Sequence, residues 1–144
     1  MIDDLGAQYF GAVLSGATVE QWRSRQDQVQ VIGQAELFPL VVARLTWAER
    51  LCGRRVLFFI DNDSARQALI KSYSPVLASL RIVLDCLKWD MDNQSNAWYA
   101  RVPTASNIAD GPSRMSSWEV VRALSAQPAK PIFPKNTGAA CILE

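Results

Sequence analysis

The chain has 144 residues, 49% of them hydrophobic and 20% charged, which is the size and make-up of one folded domain and too apolar for a disordered chain. Fifteen Lys and Arg against fourteen Asp and Glu leave a net charge of +1, so a polyanion must be met through a local patch or metal ions, not a global field. Three cysteines are too few for a disulfide framework, and the absence of histidine excludes Ser-His-Asp and Cys-His nucleophiles and every His-ligated metal or haem site.

No apolar run reaches the roughly 18–20 residues of a membrane span, and Met1-Ile2-Asp3-Asp4 is unlike the basic start of a signal peptide. Cys141-Ile142-Leu143-Glu144 has the outline of a prenylation box, but Glu is a poor last residue for one. A soluble intracellular protein without a membrane partner is expected.

In chain order, Gln8 to Ser15 reads as a strand closed by Ser15-Gly16, with Thr18 to Arg25 as its hairpin partner and Val19 and Trp22 on the apolar side. Gln26 to Ile32 has no clear boundaries. Ala35 to Leu51 is the clearest helix. Leu37, Leu40, Val41, Leu45, Ala48 and Leu51 fall three and four apart, Pro39 asks for a start near Gln34–Glu36, and Gly53 ends it. Val56 to Ile60 is a continuous apolar run that suits a strand buried on both faces, ending at Asp61-Asn62-Asp63. A short helix follows over Ser64–Lys71, capped by Asp63 or Ser64. A longer one runs from Pro75 to about Trp89, and a strand from Asn96 to Val102 stops at Pro103. Thr104 to Arg114 is turn-rich, and the tail from Gln127, with Pro128, Pro131 and Pro134, reads as loose. Trp22, Trp47, Trp89 and Trp98 are expected in the core. The order predicts an α/β (α+β) fold with residues 1–114 as the domain and 115–144 as a short helix plus tail.

Three carboxylates stand at places where chemistry gathers: Glu36 opening the apolar helix, Asp61 at the carboxyl end of the buried strand, and Asp110 just after the last strand. Each alone has an ordinary explanation, as a helix-start charge or a turn residue. Together they would repel, by roughly 4 kcal/mol for a pair about 4 Å apart at an effective dielectric near 20. A divalent cation resolves that conflict, and oxygen-only ligands favour Mg²⁺ or Mn²⁺.

Gln34-Ala35-Glu36-Leu37-Phe38-Pro39-Leu40 resembles the Glu-bearing first helix of retroelement-type ribonuclease H domains. Phe59-Ile60-Asp61-Asn62-Asp63-Ser64-Ala65 is similar to their central strand with its Asp-Asn end. Ser106-Asn107-Ile108-Ala109-Asp110-Gly111-Pro112-Ser113-Arg114 resembles their Asn-x-Ala-Asp-x-x-Ser-Arg signature. The likeness covers roughly Gly11 to Arg114. It implies a ribonuclease H-like mixed five-stranded sheet flanked by helices, with the first strand short or missing. It also implies four carboxylates (Glu36, Asp61, Asp110 and Asp4) holding two Mg²⁺ or Mn²⁺ ions that cut the RNA strand of an RNA–DNA hybrid, leaving a 3′-hydroxyl and a 5′-phosphate. Asn62, Arg66, Lys71 and Arg114 are the expected nucleic-acid contacts, and an upstream reverse transcriptase domain the expected partner within a reverse-transcribing element. The family's first carboxylate ends its first strand. Here it is either Asp4, seven residues before Gly11, or a residue upstream of Met1. The His that cellular members keep near the last carboxylate is replaced by the Ser106-Asn107 neighbourhood, which implies slow turnover. With Arg66 and Lys71 as the main basic groups, binding of the hybrid is expected to be weak and salt-sensitive. A catalytically inactive scaffold of the same fold is the alternative. An exonuclease or integrase-like relative fits less well, since the integrase pattern ends in Glu.

Overall fold

The computed structural model describes residues 1–24 and 31–135. The segment 25–30 and the Cys141–Glu144 box lie outside the described residues. The fold is mixed α/β. Two short strands, β1 (Ile2–Asp3) and β2 (Gly6–Tyr9), form an antiparallel hairpin. Helix α1 (Gly16–Arg23) leads to α2 (Ile32–Thr46) and the single turn α3 (Ala48–Leu51). Strand β3 (Arg55–Ile60) is joined by α4 (Asp63–Lys71) and α5 (Leu77–Asp92) to β4 (Asn96–Arg101), which lies parallel to it from Arg55↔Asn96 to Ile60↔Arg101. A 3₁₀ turn at Thr104–Ser106, then α6 (Asp110–Ser113), α7 (Trp118–Leu124) and β5 (Gln127–Pro128), complete the order.

Several departures from the sequence reading are physical in origin, and the strand expected over Gln8–Ser15 is found only as β2, ending at Tyr9. The stretch expected as a hairpin strand, Thr18 to Arg25, is helical through Arg23. Ser15 caps it by accepting from the Thr18 N–H at 3.2 Å, and Thr18 and Trp22, one helical turn apart, are buried together. The described strands also fall into two sheets, β1-β2-β5 and β3-β4, not one of five. The tail supplies β5. It pairs parallel with β2 (Gln8↔Gln127, Tyr9↔Pro128), buries Ala126 and stacks Phe133 on Phe38 at 6.3 Å. Residues 126–133 are therefore part of the packing and not a loose end.

The core lies between α2, α4, α5 and one face of β3–β4: Leu37, Phe38, Val41, Val42, Ile60, Leu69, Ile82, Val83 and Cys86. Helix α2 starts earlier than Pro39 suggests, so the proline sits inside it. With no N–H of its own, Pro39 leaves the Ala35 carbonyl without its helical donor. Gly53, at φ +68°, closes α3 in the left-handed region that favours glycine, and its N–H donates to the Asn93 carbonyl at 2.9 Å. Between α2, α5 and β4, Arg44 is fully buried. It donates to both Asp90 oxygens at 2.9 and 2.8 Å, to the Tyr99 hydroxyl at 2.8 Å and to the Leu40 carbonyl at 3.1 Å. Burial pushes the neighbouring Cys86 thiol and Tyr99 hydroxyl up to about 12 each. Among the described residues, no helix is long and apolar enough to cross a membrane.

Candidate functional site

A groove of about 740 Å³ opens between β2, the first half of α2, the exit of β3 and the segment 107–113. Three elements deliver one carboxylate each to its wall. The first turns of α2 carry Glu36, the chain leaving β3 carries Asp61, and the start of α6 carries Asp110. These residues are remote in sequence, yet Glu36 feels the charge of the other two. The Glu36 carboxyl is held above its ordinary value first by burial and then by the negative charges of Asp61 and Asp110.

Local structure explains the placement. Asn62 caps α4, its Oδ1 accepting from the Ala65 N–H at 2.9 Å, so the chain turns sharply after Asp61 and leaves that carboxylate at the strand exit. The Asn107 Oδ1 accepts from the Ala109 N–H at 3.1 Å, a turn that leads directly into Asp110. Gly11 packs directly beneath this segment. A Cβ there would collide with the Pro112 carbonyl oxygen and lie 3.2 Å from Met115 Sδ. That close approach holds α6 against the strand side of the groove, and it needs glycine for lack of a Cβ. The Gly-Ala-Val-Leu run, expected as strand, lies beyond the end of β2 at Tyr9, and the contact that demands Gly11 was not legible.

The other expected site residues are placed differently. Asp4 pairs with Arg54 at 3.7 Å, beside the start of β3, whereas Asp61 follows its end. The neighbouring Asp3 is gripped by Arg50, whose Nε donates to Oδ2 at 2.7 Å and whose Nη2 donates to Oδ1, and this holds the Asp3 carboxyl below its ordinary value. The structure thus gathers Glu36, Asp61 and Asp110 and leaves Asp4 apart from them. Among the nucleic-acid candidates, Asn62 spends its side chain on the cap and Arg66 donates to Asp63 at 2.7 and 3.1 Å. Lys71 is exposed at the end of α4. Arg114 Nε donates to Asp110 Oδ1 at 3.0 Å, so it answers one of the three carboxylates directly.

The donor set is made of oxygens alone, with a surplus of negative charge, which is the chemistry of a hard divalent cation. As placed, the carboxylates line the groove without closing into a coordination shell, and no group of three metal-ligating side chains near enough to grip an ion occurs among the described residues. Comparison with known proteins finds no matching family, no matching curated protein and no matching solved structure.

Proposed function

We propose that the chain is a ribonuclease H-type, divalent-metal-dependent endonuclease domain of a reverse-transcribing element, acting on the RNA strand of RNA–DNA hybrids. The observation that carries this reading is the meeting of Glu36, Asp61 and Asp110 at one groove, with Glu36 raised by the charge of the other two. In a one-domain chain of ordinary composition, an acidic trio that Arg114 answers only at Asp110 is a standing cost that a bound cation would reduce. The sequence motifs around the three residues supply the substrate class.

Glu36, Asp61 and Asp110 would hold Mg²⁺ or Mn²⁺, which supplies an activated water and charge stabilisation at the scissile phosphate. The protein's own part is positional. Asn62 sets the turn that presents Asp61, and Gly11 sets the height of the Asp110 segment. Arg114 is near enough to exchange its carboxylate for a backbone phosphate.

A second reading, an inactive domain of the same fold that serves as a scaffold, is favoured by Asp4 pairing with Arg54 away from the trio. One set of measurements decides between them. With millimolar Mg²⁺ or Mn²⁺ the nuclease reading expects Tm to rise by several degrees, since the ion binds only the native trio. It also expects cleavage of a labelled hybrid that Asp61→Asn abolishes. A Tm that rises without cleavage supports the scaffold; neither response sinks the metal site altogether.

A further inference from the structure

Strand β3 has a partner on one edge only. The Asn96 N–H donates to the Arg54 carbonyl at 2.9 Å, and the Val102 N–H donates to the Ile60 carbonyl at 3.1 Å. Ladder bonds alternate along a strand, so the backbone groups of Arg55, Leu57 and Phe59 point away from β4. No described strand pairs with them there. The outer face is bare as well: Leu57 and Phe59, and Trp98 on β4 (expected in the core), are exposed. The hairpin β1–β2 stands beside the entry of β3, through Asp4 and Arg54, yet does not pair with this edge. An apolar strand with an open edge is a template for another strand.

The groove that holds the trio reaches this strand, since Phe59 and Asp61 belong to its wall. Its volume of about 740 Å³ exceeds what a metal ion needs. An ion with six waters takes roughly 180 Å³, at about 30 Å³ for each water. Much of the remaining wall is apolar, with Ile2, Phe10, Leu40 and Trp47 in it. Trp47 also keeps its Nε1 buried without an acceptor among the described residues. At the mouth, Glu36 and Asp61 form no ion pair among the described residues, because Arg114 answers Asp110 alone.

We propose that this groove takes an extended apolar peptide segment of a partner polypeptide, laid antiparallel to the free edge of β3, with a Lys or Arg at its first residue against the trio. One occupant then meets every open feature. Its backbone pairs with the β3 edge, the mode of strand addition to an exposed sheet. Its alternate side chains fill the apolar wall, a peptide carbonyl suits the Trp47 Nε1, and its cation is complementary to Glu36 and Asp61. The antiparallel direction is the more stable pairing and sets the first residue at the exit of β3, where the trio lies. A nucleic-acid strand has no strand-pairing backbone and, without metal, brings phosphates against like charge. The inference shares the trio with the nuclease reading but needs no metal, so a failed peptide and a failed Mg²⁺ response are separate results.

Fluorescence anisotropy of a labelled, end-capped peptide Lys-Val-Thr-Val-Thr-Val, titrated with the full chain in EDTA, tests it. Half-saturation should come below about 100 µM. The same peptide with Glu in place of Lys should bind at least about tenfold more weakly, since it sets like charge against the trio. Asp61→Asn, checked for unchanged far-UV circular dichroism, should narrow that difference severalfold. N-methylation at alternate residues should abolish binding in one of its two phases, the one whose N–H groups face β3. A Lys peptide that does not bind by about 1 mM overturns the proposal. So do Lys and Glu peptides that bind alike, an Asp61→Asn protein that discriminates between them as wild type does, or N-methylated peptides that bind unimpaired in both phases.

Discussion

Helix α2 carries charge into two very different settings, and the contrast explains both. Arg44, near its end, enters the core and meets opposite charge: two bonds to Asp90, one to the Tyr99 hydroxyl, one to a carbonyl, and the Phe58 ring 4.5 Å from its guanidinium carbon. Glu36, near its start, faces a groove and meets its own sign in Asp61 and Asp110. In the first setting the protein supplies every partner, so the charge cross-links α2, α5 and β4 and has no need of a ligand. In the second the balance is left open. A buried, fully answered charge is a device of the fold, and a cluster of like charges answered only at Asp110, by Arg114, is where the proposed cation would sit.

Removing one member of the answered pair should have the largest effect on the molecule. Asp90→Ala leaves a fully buried guanidinium facing an apolar gap, and breaking a buried pair on one side costs about 3–5 kcal/mol. Urea unfolding should show that loss at unchanged slope. Arg44→Met with Asp90→Leu, which removes both charges and refills the space, should recover most of it. A single Asp90→Ala protein as stable as wild type would mean that the pair is solvated and that the contrast with the groove is false.

The same contrast bears on what was legible in the sequence. The helix expected over Ala35–Leu51, the strand over Val56–Ile60, the short helix from Ser64 and the strand from Asn96 are found within a few residues of their expected bounds because local periodicity and capping decide them, but the first is broken at Trp47 into α2 and α3, and the strand expected to be buried on both faces leaves Leu57 and Phe59 exposed. The buried role of Arg44 was invisible, since its partner Asp90 lies on another helix and no local rule brings the two together. The apolar stripe read through Leu37, Leu40, Val41, Leu45, Ala48 and Leu51 holds at Leu37, Val41 and Leu51, which are buried, and at Leu40 and Leu45, which pack partly buried on the core, but it missed Gln34, Phe38, Val42, Ala43 and Arg44. Thr18–Arg25 was misread because Val19 and Trp22 suit either period; the Ser15 cap and the joint burial of Thr18 and Trp22 decide for helix. Trp98 was assigned to the core on its apolar character, which says nothing about which face of a sheet a neighbour covers. At the groove, the three carboxylates were readable as strand-end and helix-start residues. The position of Asp4 beside Arg54 was not, because it depends on how the hairpin docks.

Glu36→Gln should move stability in the opposite direction to Asp90→Ala. The folded-state pKa of Glu36 is raised above its ordinary value of 4.5, so the native state holds this proton more tightly than the unfolded chain. Its contribution is complete below pH 4.5 and is lost as pH rises through the raised value. At pH 7 the wild type therefore carries a penalty that Gln lacks. Glu36 is partly exposed, and solvent screening keeps the gain below about 1 kcal/mol, a few degrees in Tm. Thermal melts without metal should find Glu36→Gln more stable at pH 7, with the difference closing toward pH 4.5. A difference that is constant with pH would assign the effect to packing.

The smallest change in stability is expected at Arg114, and it is the one that sharpens the comparison most. Its pair with Asp110 is exposed, with side-chain accessibilities of 72% and 40%, and helical pairs of this i,i+4 kind are worth about 0.3–0.5 kcal/mol. Arg114→Ala should hardly move the metal-free Tm. Yet among the described residues Arg114 is the one cation bonded to the trio, and a divalent ion reaching Asp110 must displace it or share the oxygen. Its removal should therefore enlarge the Tm rise at a fixed, sub-saturating Mg²⁺ concentration, with half-saturation reached severalfold lower. If Mg²⁺ acts equally on both proteins, Asp110 is not among the ligands, and the groove's charge is balanced by the protein after all.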